Sequence, residues 1–175
     1  YFIQSRDLDL LDQMKMNSHR LGAVRDDLKE MEPIVRDADL LAFNISALKS
    51  CDAPGYAFPS PNGFFSDEAC QLMRYAGASD KMQCVGIYNY NPSLDQQGIT
   101  AIGIAQMIWY FIDGIHLRRA DYPIVDEKDF QKFIVSIQGE QEEIVFMKSI
   151  KSDRWWMQVP TMPLENKLYK MVPCT

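Results

Sequence analysis

Residues 40–63 constrain this chain more than any other stretch. They open on an apolar run, Leu40-Leu41-Ala42-Phe43-Asn44-Ile45-Ser46, that ends with small polar groups at alternate positions. Side chains two apart in a strand share a face, so a strand here sets Asn44 and Ser46 on one side and Phe43 and Ile45 on the other. Ala53-Pro54-Gly55 and Pro59-Ser60-Pro61-Asn62-Gly63 follow, a loop too rich in Pro and Gly for a helix or a strand interior. A buried strand that hands polar side chains to a long loop is a common way for an open α/β sheet to build a ligand site.

Helical and strand periods alternate around that stretch. Ser5 is placed to cap a helix over residues 6–16, with Leu8, Leu11 and Lys15 spaced along one face. Residues 18–24 read as a brief strand. Asp26 or Asp27 then caps a second helix, with Leu28 and Met31 inward, which Pro33 disturbs. After the loop, Ser66-Asp67-Glu68 starts a helix for which Gly77 is the stop, and residues 82–90 form a second buried strand ended by Asn91-Pro92. Residues 98–119 are the longest helix. Ala101, Ala105, Ile108, Ile112 and Ile115 make one stripe, widened by Ile104 and Trp109, and so wide an apolar surface implies burial against the sheet or a neighbouring subunit.

Beyond Tyr122-Pro123 the period changes. Residues 130–138, 143–150 and 154–159 are β-rich runs divided by Gly139-Glu140-Gln141 and Lys151-Ser152-Asp153, the pattern of a three-stranded antiparallel meander. Pro160, Pro163 and Pro173 punctuate an irregular tail. The expected organisation is an α/β segment over 1–122 and a β-meander appendage with a tail over 123–175.

Composition narrows the function classes. A net charge of −6 with no compensating basic stripe argues against a nucleic-acid partner, because phosphate binding needs clustered Lys and Arg. The longest uncharged run, 96–112, is diluted by Gln, Gly and Thr and falls short of a membrane span. Cys51, Cys70, Cys84 and Cys174 show no CxxC pair or zinc spacing and read as free, mostly buried thiols of a cytoplasmic protein. The only histidines, His19 and His116, form no motif, and no Ser or Cys has a base at triad spacing. Asp7-Leu8-Asp9 has DxD form but lies in a helix, where side chains two apart diverge. Trp155-Trp156 reads as one core ring and one exposed ring. The sequence starts at Tyr1, without a methionine, and reads as a fragment lacking its amino-terminal part.

The 40–63 spacing resembles the ureohydrolase family of arginases, agmatinases and formimidoylglutamases. Its strand reads S-F-D-x-D-A-L-D-P, followed by A-P-G and, after a short Pro-containing loop, G-G. Phe43, Ala47, Leu48, Ala53, Pro54, Gly55, Pro59 and Gly63 fall in register with it. Gly86-Ile87-Tyr88-Asn89-Tyr90-Asn91-Pro92 is similar to the family's V-E-V-N-P strand end, and Thr100-Ala101 to the T-A that opens its next helix. The resemblance implies part of an arginase-like three-layer α/β/α fold with a mostly parallel sheet. It also implies a pocket shaped by Pro54, Gly55, Gly63 and Asn91, and self-association into a homo-oligomer.

The departures fall on the chemistry. By resemblance, the two strand aspartates that hold a manganese pair correspond to Asn44 and Ser46, the substrate-binding glutamate to Asn89, and the aspartate of A-L-D-P to Lys49. Paired dications need anionic oxygen ligands to offset their repulsion, and an amide and a hydroxyl are neutral. Lys49 is either a solvated lysine or an ammonium standing in for the lost metal charge. The expectation is therefore a non-catalytic ureohydrolase-like chain with no cofactor of its own, which binds a small amino-acid-like ligand or pairs with a related subunit. The alternative is a manganese-dependent hydrolase of a guanidino or formimino C–N bond, completed by an amino-terminal segment carrying the remaining ligands.

Overall fold

The computed structural model describes residues 4–122, 126–136, 143–160 and 169–174. In chain order these form α1 (Ser5–Gln13), α2 (Leu21–Asp26), α3 (Met31–Arg36), β1 (Leu40–Asn44), α4 (Ser66–Ala78), β2 (Cys84–Tyr88), α5 (Ile99–Ile115), β3 (Phe130–Ser136), β4 (Glu143–Ser149), β5 (Trp155–Pro160) and β6 (Tyr169–Cys174). Strands β1 and β2 pair in parallel, from Leu40 opposite Cys84 to Asn44 opposite Tyr88. The connection between them carries α4, as a parallel pair requires. Strands β3 to β6 form a separate antiparallel sheet in sequence order. The chain is thus α/β, as its patterning indicates.

The apolar side of β1 sets the core. Phe43, Ile45 and Leu48 are buried with Ala69, Cys70 and Met73 of α4 and Met107 of α5. Helices α4 and α5 meet at glycines: a Cβ on Gly77 would lie 2.1 Å from the Phe111 carbonyl oxygen, and one on Gly114 would lie 2.4 Å from that of Arg74. Gly77 is therefore the point of close approach rather than a helix stop, and α4 continues to Ala78. The same contact turns α5. Its buried residues are Thr100, Gly103, Met107 and Gly114, while Ile108, Ile112 and Ile115 of the expected stripe stay exposed. The side with small residues permits the closer packing, which outweighs the bulkier side.

The amino-terminal elements differ from expectation. Ser5 lies inside α1, which has no side-chain cap. Residues 18–24, read as a brief strand, form no strand: from Leu21 they belong to helix α2. Asp27 does cap, accepting the Lys29 N–H at 2.9 Å, but over a 3-10 turn that runs into α3. Pro33 sits in the first turn of α3, where its missing N–H is not needed.

The carboxy-terminal sheet has four strands, not three. Tyr169–Cys174 is the fourth, with Pro173 opposite Trp156 on an edge strand, where a proline is tolerated. Trp156 is buried at 1% exposure, and the half-buried Trp155 ring lies 5.1 Å from Phe133. Phe130, Met147 and Trp156 form a small core. The expected Gly139-Glu140-Gln141 turn and Pro163 lie outside the described residues.

Arg36 holds this sheet to α3. It is 5% exposed, donates to the carbonyls of Trp155 at 3.2 Å and Cys174 at 3.3 Å, and stacks 4.5 Å from the Trp156 ring centre. Around it, Glu32 lies 3.6 Å from Arg36 Nε and 3.4 Å from Arg154 Nε, and Arg154 Nη1 is 3.8 Å from the buried Asp121. Asp121 also accepts the Ser152 hydroxyl. Burial pushes the Arg36 guanidinium pKa below its ordinary value.

Candidate functional site

The parallel register brings the carboxyl ends of β1 and β2 level: Asn44 faces Tyr88, so Asn89 follows directly at the same sheet end. This is the edge where open α/β sheets build their sites. The strand-end residues are tied into backbone turns. Asn44 Oδ1 accepts the Ser46 N–H at 3.0 Å and opens a 3-10 turn over Ile45–Ala47. Strand alternation therefore stops at Asn44, and Ser46 belongs to the turn rather than to a strand face. An Asx turn offers the backbone a partner that competes with the sheet ladder. Asn89 is exposed and has φ 67°, a left-handed conformation that asparagine tolerates better than most residues.

The loop residues fix the backbone around these side chains. A Cβ on Gly63 would lie 2.6 Å from the Ala47 carbonyl oxygen, so the absence of a side chain lets the loop close onto the strand end through the Phe64 N–H to Ala47 O bond of 2.8 Å. Gly55 donates its N–H to Thr100 Oγ1 at 2.8 Å and accepts the Asn91 N–H at 2.8 Å. Pro54 precedes it and accepts the Tyr56 N–H. Asn91 Oδ1 in turn accepts the Ser93 N–H at 3.0 Å. Lys49 does not bring an ammonium to the strand ends: its Nζ lies 3.5 Å over the Phe65 ring.

Asp95 escaped the sequence reading. It is buried and accepts the N–H groups of Thr100 at 3.1 Å and Ala101 at 2.9 Å, together with the Tyr90 hydroxyl at 3.2 Å. Burial alone would raise its pKa, but the two N–H donors at the start of α5 and the Tyr90 hydroxyl outweigh it and hold the carboxyl below its ordinary value. The available signal was a carboxylate just ahead of a helix start. This network ties the Gly55 loop to α5.

A cleft of about 690 Å³ opens between the first turns of α4 and α5, lined by Asp52, Phe65, Ser66, Ile102 and Tyr110 among others. None of Asn44, Ser46, Asn89, Pro54, Gly55, Gly63 or Asn91 lines it. Cys51 and Cys70 do; Cys70 is the one buried cysteine, since Cys51 and Cys84 are exposed and Cys174 is half-buried, so the expectation of mostly buried thiols fails. The histidines stand apart from the strand ends, His116 at the end of α5 and His19 exposed before α2. Among the described residues, no group of three His, Cys, Asp or Glu side chains could hold a metal ion. The donor set at the strand ends does not fit a manganese pair: it carries no negative charge, and the Asn44 oxygen is already engaged by a backbone N–H. Also among the described residues, no helix is long and apolar enough to cross a membrane.

Comparison with known proteins adds the frame. A model described as the arginase family matches residues 2–113. A formimidoylglutamase of Staphylococcus aureus (strain JH9) is 30% identical over 95 residues, which cover 53% of this chain and 30% of that protein. The solved formimidoylglutamase of Bacillus subtilis matches with a TM-score of 0.60 at 21% identity, covering 66% of this chain and 39% of that one. The native arginase of Bacillus caldovelox matches with a TM-score of 0.56 at 16% identity, covering 70% and 42%. The chain thus spans less than half the length of each of these proteins.

Proposed function

The chain belongs to the arginase family, and from that membership we propose that it is a formimidoylglutamase-like member whose strand-end site no longer holds metal and which acts by binding or assembly rather than hydrolysis. The observation that carries this reading is the identity and engagement of three residues. Asn44, Ser46 and Asn89 stand where the family resemblance calls for carboxylates, and the Asn44 amide oxygen is spent on a turn. Two adjacent divalent ions gain their affinity from anionic oxygens, so the loss of the two strand carboxylates, with a third negative charge gone from beside them, costs orders of magnitude in binding. Asn89 likewise lacks the charge to pair with a cationic substrate group. A small amino-acid-like ligand at the strand ends, or a related subunit, is the partner this reading calls for.

A second reading is favoured by one observation, the short coverage of the relatives. Polypeptide outside this chain would then supply metal ligands, and the whole would hydrolyse a guanidino or formimino C–N bond. Metal analysis of the longest natural form of the protein, after incubation with Mn²⁺, separates the two. The proposed reading expects substoichiometric manganese and no release of urea or formamide; stoichiometric metal together with product release would establish the second. The triple substitution Asn44→Asp, Ser46→Asp and Asn89→Glu restores three negative charges. It is expected to raise manganese affinity measurably in calorimetry, and no gain would show that charge at these positions is not what limits binding.

A further inference from the structure

The loop that closes onto the strand end carries the dipeptide Asn62-Gly63. Of the asparagines among the described residues, Asn62 alone is followed by glycine. An asparagine side chain can be attacked by the backbone nitrogen of the next residue, and the approach is easiest when that residue has no Cβ in the way. Asn17 precedes Ser18, Asn44 the β-branched Ile45 and Asn89 Tyr90, while Asn91 precedes Pro92, whose nitrogen has no proton to give up. Asp113-Gly114 has the same following glycine. It lies in α5, where helical hydrogen bonds fix the backbone, and Arg74 holds the Asp113 carboxylate at 2.8 Å.

The surroundings of Asn62 leave the reacting groups unengaged. Asn62 is exposed and lies outside any helix or strand. Its own N–H donates to Ser60 Oγ at 3.2 Å, but among the described residues no hydrogen bond holds its side-chain amide or the Gly63 N–H. By contrast, the amide oxygens of Asn44 and Asn91 each accept a backbone N–H.

The consequence of reaction is set by how the loop is fastened. Upstream, the Ser60 carbonyl accepts the Ser50 N–H at 2.7 Å; downstream, Phe64 donates to the Ala47 carbonyl at 2.8 Å and accepts the Lys49 N–H at 3.0 Å. Pro61, Asn62 and Gly63 span the gap between these anchors. Pro61 has a fixed φ, and a Cβ on Gly63 would lie 2.6 Å from the Ala47 carbonyl oxygen, so the span has no slack.

We propose that Asn62 is a site of spontaneous deamidation whose product releases this loop from the strand-end turn. The Gly63 nitrogen loses its proton to solvent base and bonds to Cγ of Asn62. The Cγ–Nδ2 bond breaks, ammonia leaves with a proton from water, and a succinimide ring is left. Water then opens the ring: addition at Cγ gives aspartate, and addition at the main-chain carbonyl gives isoaspartate, in which the chain runs through Cβ and Cγ. The net change is one water taken up and one ammonia released. Isoaspartate lengthens the main chain by a methylene between fixed anchors, so it displaces Gly63 and costs the Phe64–Ala47 and Lys49–Phe64 bonds. Either product adds a negative charge to a loop that carries none between Asp52 and Asp67.

The test is ageing of the longest natural form of the protein at physiological temperature and mildly alkaline pH, with a thiol reductant present. Peptide mapping by mass spectrometry with electron-transfer fragmentation separates isoaspartate from aspartate. The expected result is conversion of Asn62, with isoaspartate the larger product, while Asn17, Asn44 and Asn89 remain amides and Asp113 stays unrearranged. The thermal midpoint should fall by about 4 °C or more, given the loss of two hydrogen bonds. Asn62→Gln keeps an amide but sets its carbonyl one methylene too far for the same ring, so its midpoint should not move on ageing. Asn62→Asp supplies the charge without the longer chain, and when fresh it should melt within about 2 °C of fresh wild type. An Asn62 that remains an amide, or converts no faster than Asn17, overturns the inference. So does conversion that leaves the midpoint unchanged, an Asn62→Gln chain that loses stability alongside wild type, or a fresh Asn62→Asp chain that melts as low as aged wild type.

Discussion

The strand ends of the parallel sheet and the junction beneath the antiparallel sheet hold two polar clusters built in opposite ways. At the strand ends Asn44, Ser46 and Asn89 are neutral, at least partly exposed, and in the case of Asn44 tied to backbone. At the junction Glu32, Arg36, Arg154 and Asp121 are charged and largely withdrawn from water, and Arg36 Nε, Arg36 Nη1, Glu32 Oε1 and Trp156 Nε1 have no hydrogen-bond partner among the described residues. Exposed amides cost little wherever they sit. Buried ions are tolerated only while each has its counterpart, so the junction, not the strand ends, is where this chain depends on charge. Asp95 lies between the extremes, a buried carboxylate with three hydrogen-bond donors.

Substitution tests that contrast. Arg36→Ala should give the largest effect, a loss of about 3–5 kcal/mol in urea unfolding, because it leaves Glu32 with Arg154 alone, takes the donor from the Trp155 and Cys174 carbonyls and removes the stack on Trp156. A loss below about 1 kcal/mol would break the comparison, since surface pairs give as much.

Asp95→Asn should have a smaller effect that depends on pH. The folded carboxyl pKa lies below its unfolded value of about 3.9. Its contribution is therefore full above that value and is lost as pH falls through the lower folded pKa. The stability difference between wild type and Asp95→Asn should shrink over that acid window, and a difference that stayed constant would show that the charge is not what stabilises the start of α5. Lys49→Ala should have the smallest effect, about 0.5 kcal/mol, because its ammonium rests on the Phe65 ring at a partly exposed site. A larger loss would mean that the strand-end region also depends on charge.

Local pattern carried much of the α/β half. The run through Phe43, the Ser66 helix start, the apolar run before Asn91-Pro92 and the long α5 are all legible as periods and breakers, and the loop motifs by themselves point to the family. Errors arose where a local signal has two uses. Gly77 fits both a helix stop and a helix contact, and only the carbonyl of Phe111 at 2.1 Å from its virtual Cβ decides between them. Asn44-Ile45-Ser46 fits both continued alternation and an Asx turn. The fourth strand was hidden because Pro173 reads as a breaker unless its strand lies at a sheet edge.

The sequence alone determined which residues occupy the strand-end positions, and hence that no carboxylate is available there, because residue identity fixes charge whatever the fold. Only the tertiary structure decided that Arg36 is buried against Trp156, that α5 packs by its glycines and that Asp95 secures the start of that helix. Each of these depends on partners 5 to 138 positions away in the chain, and burial and close approach are properties of the pair, which no local pattern encodes.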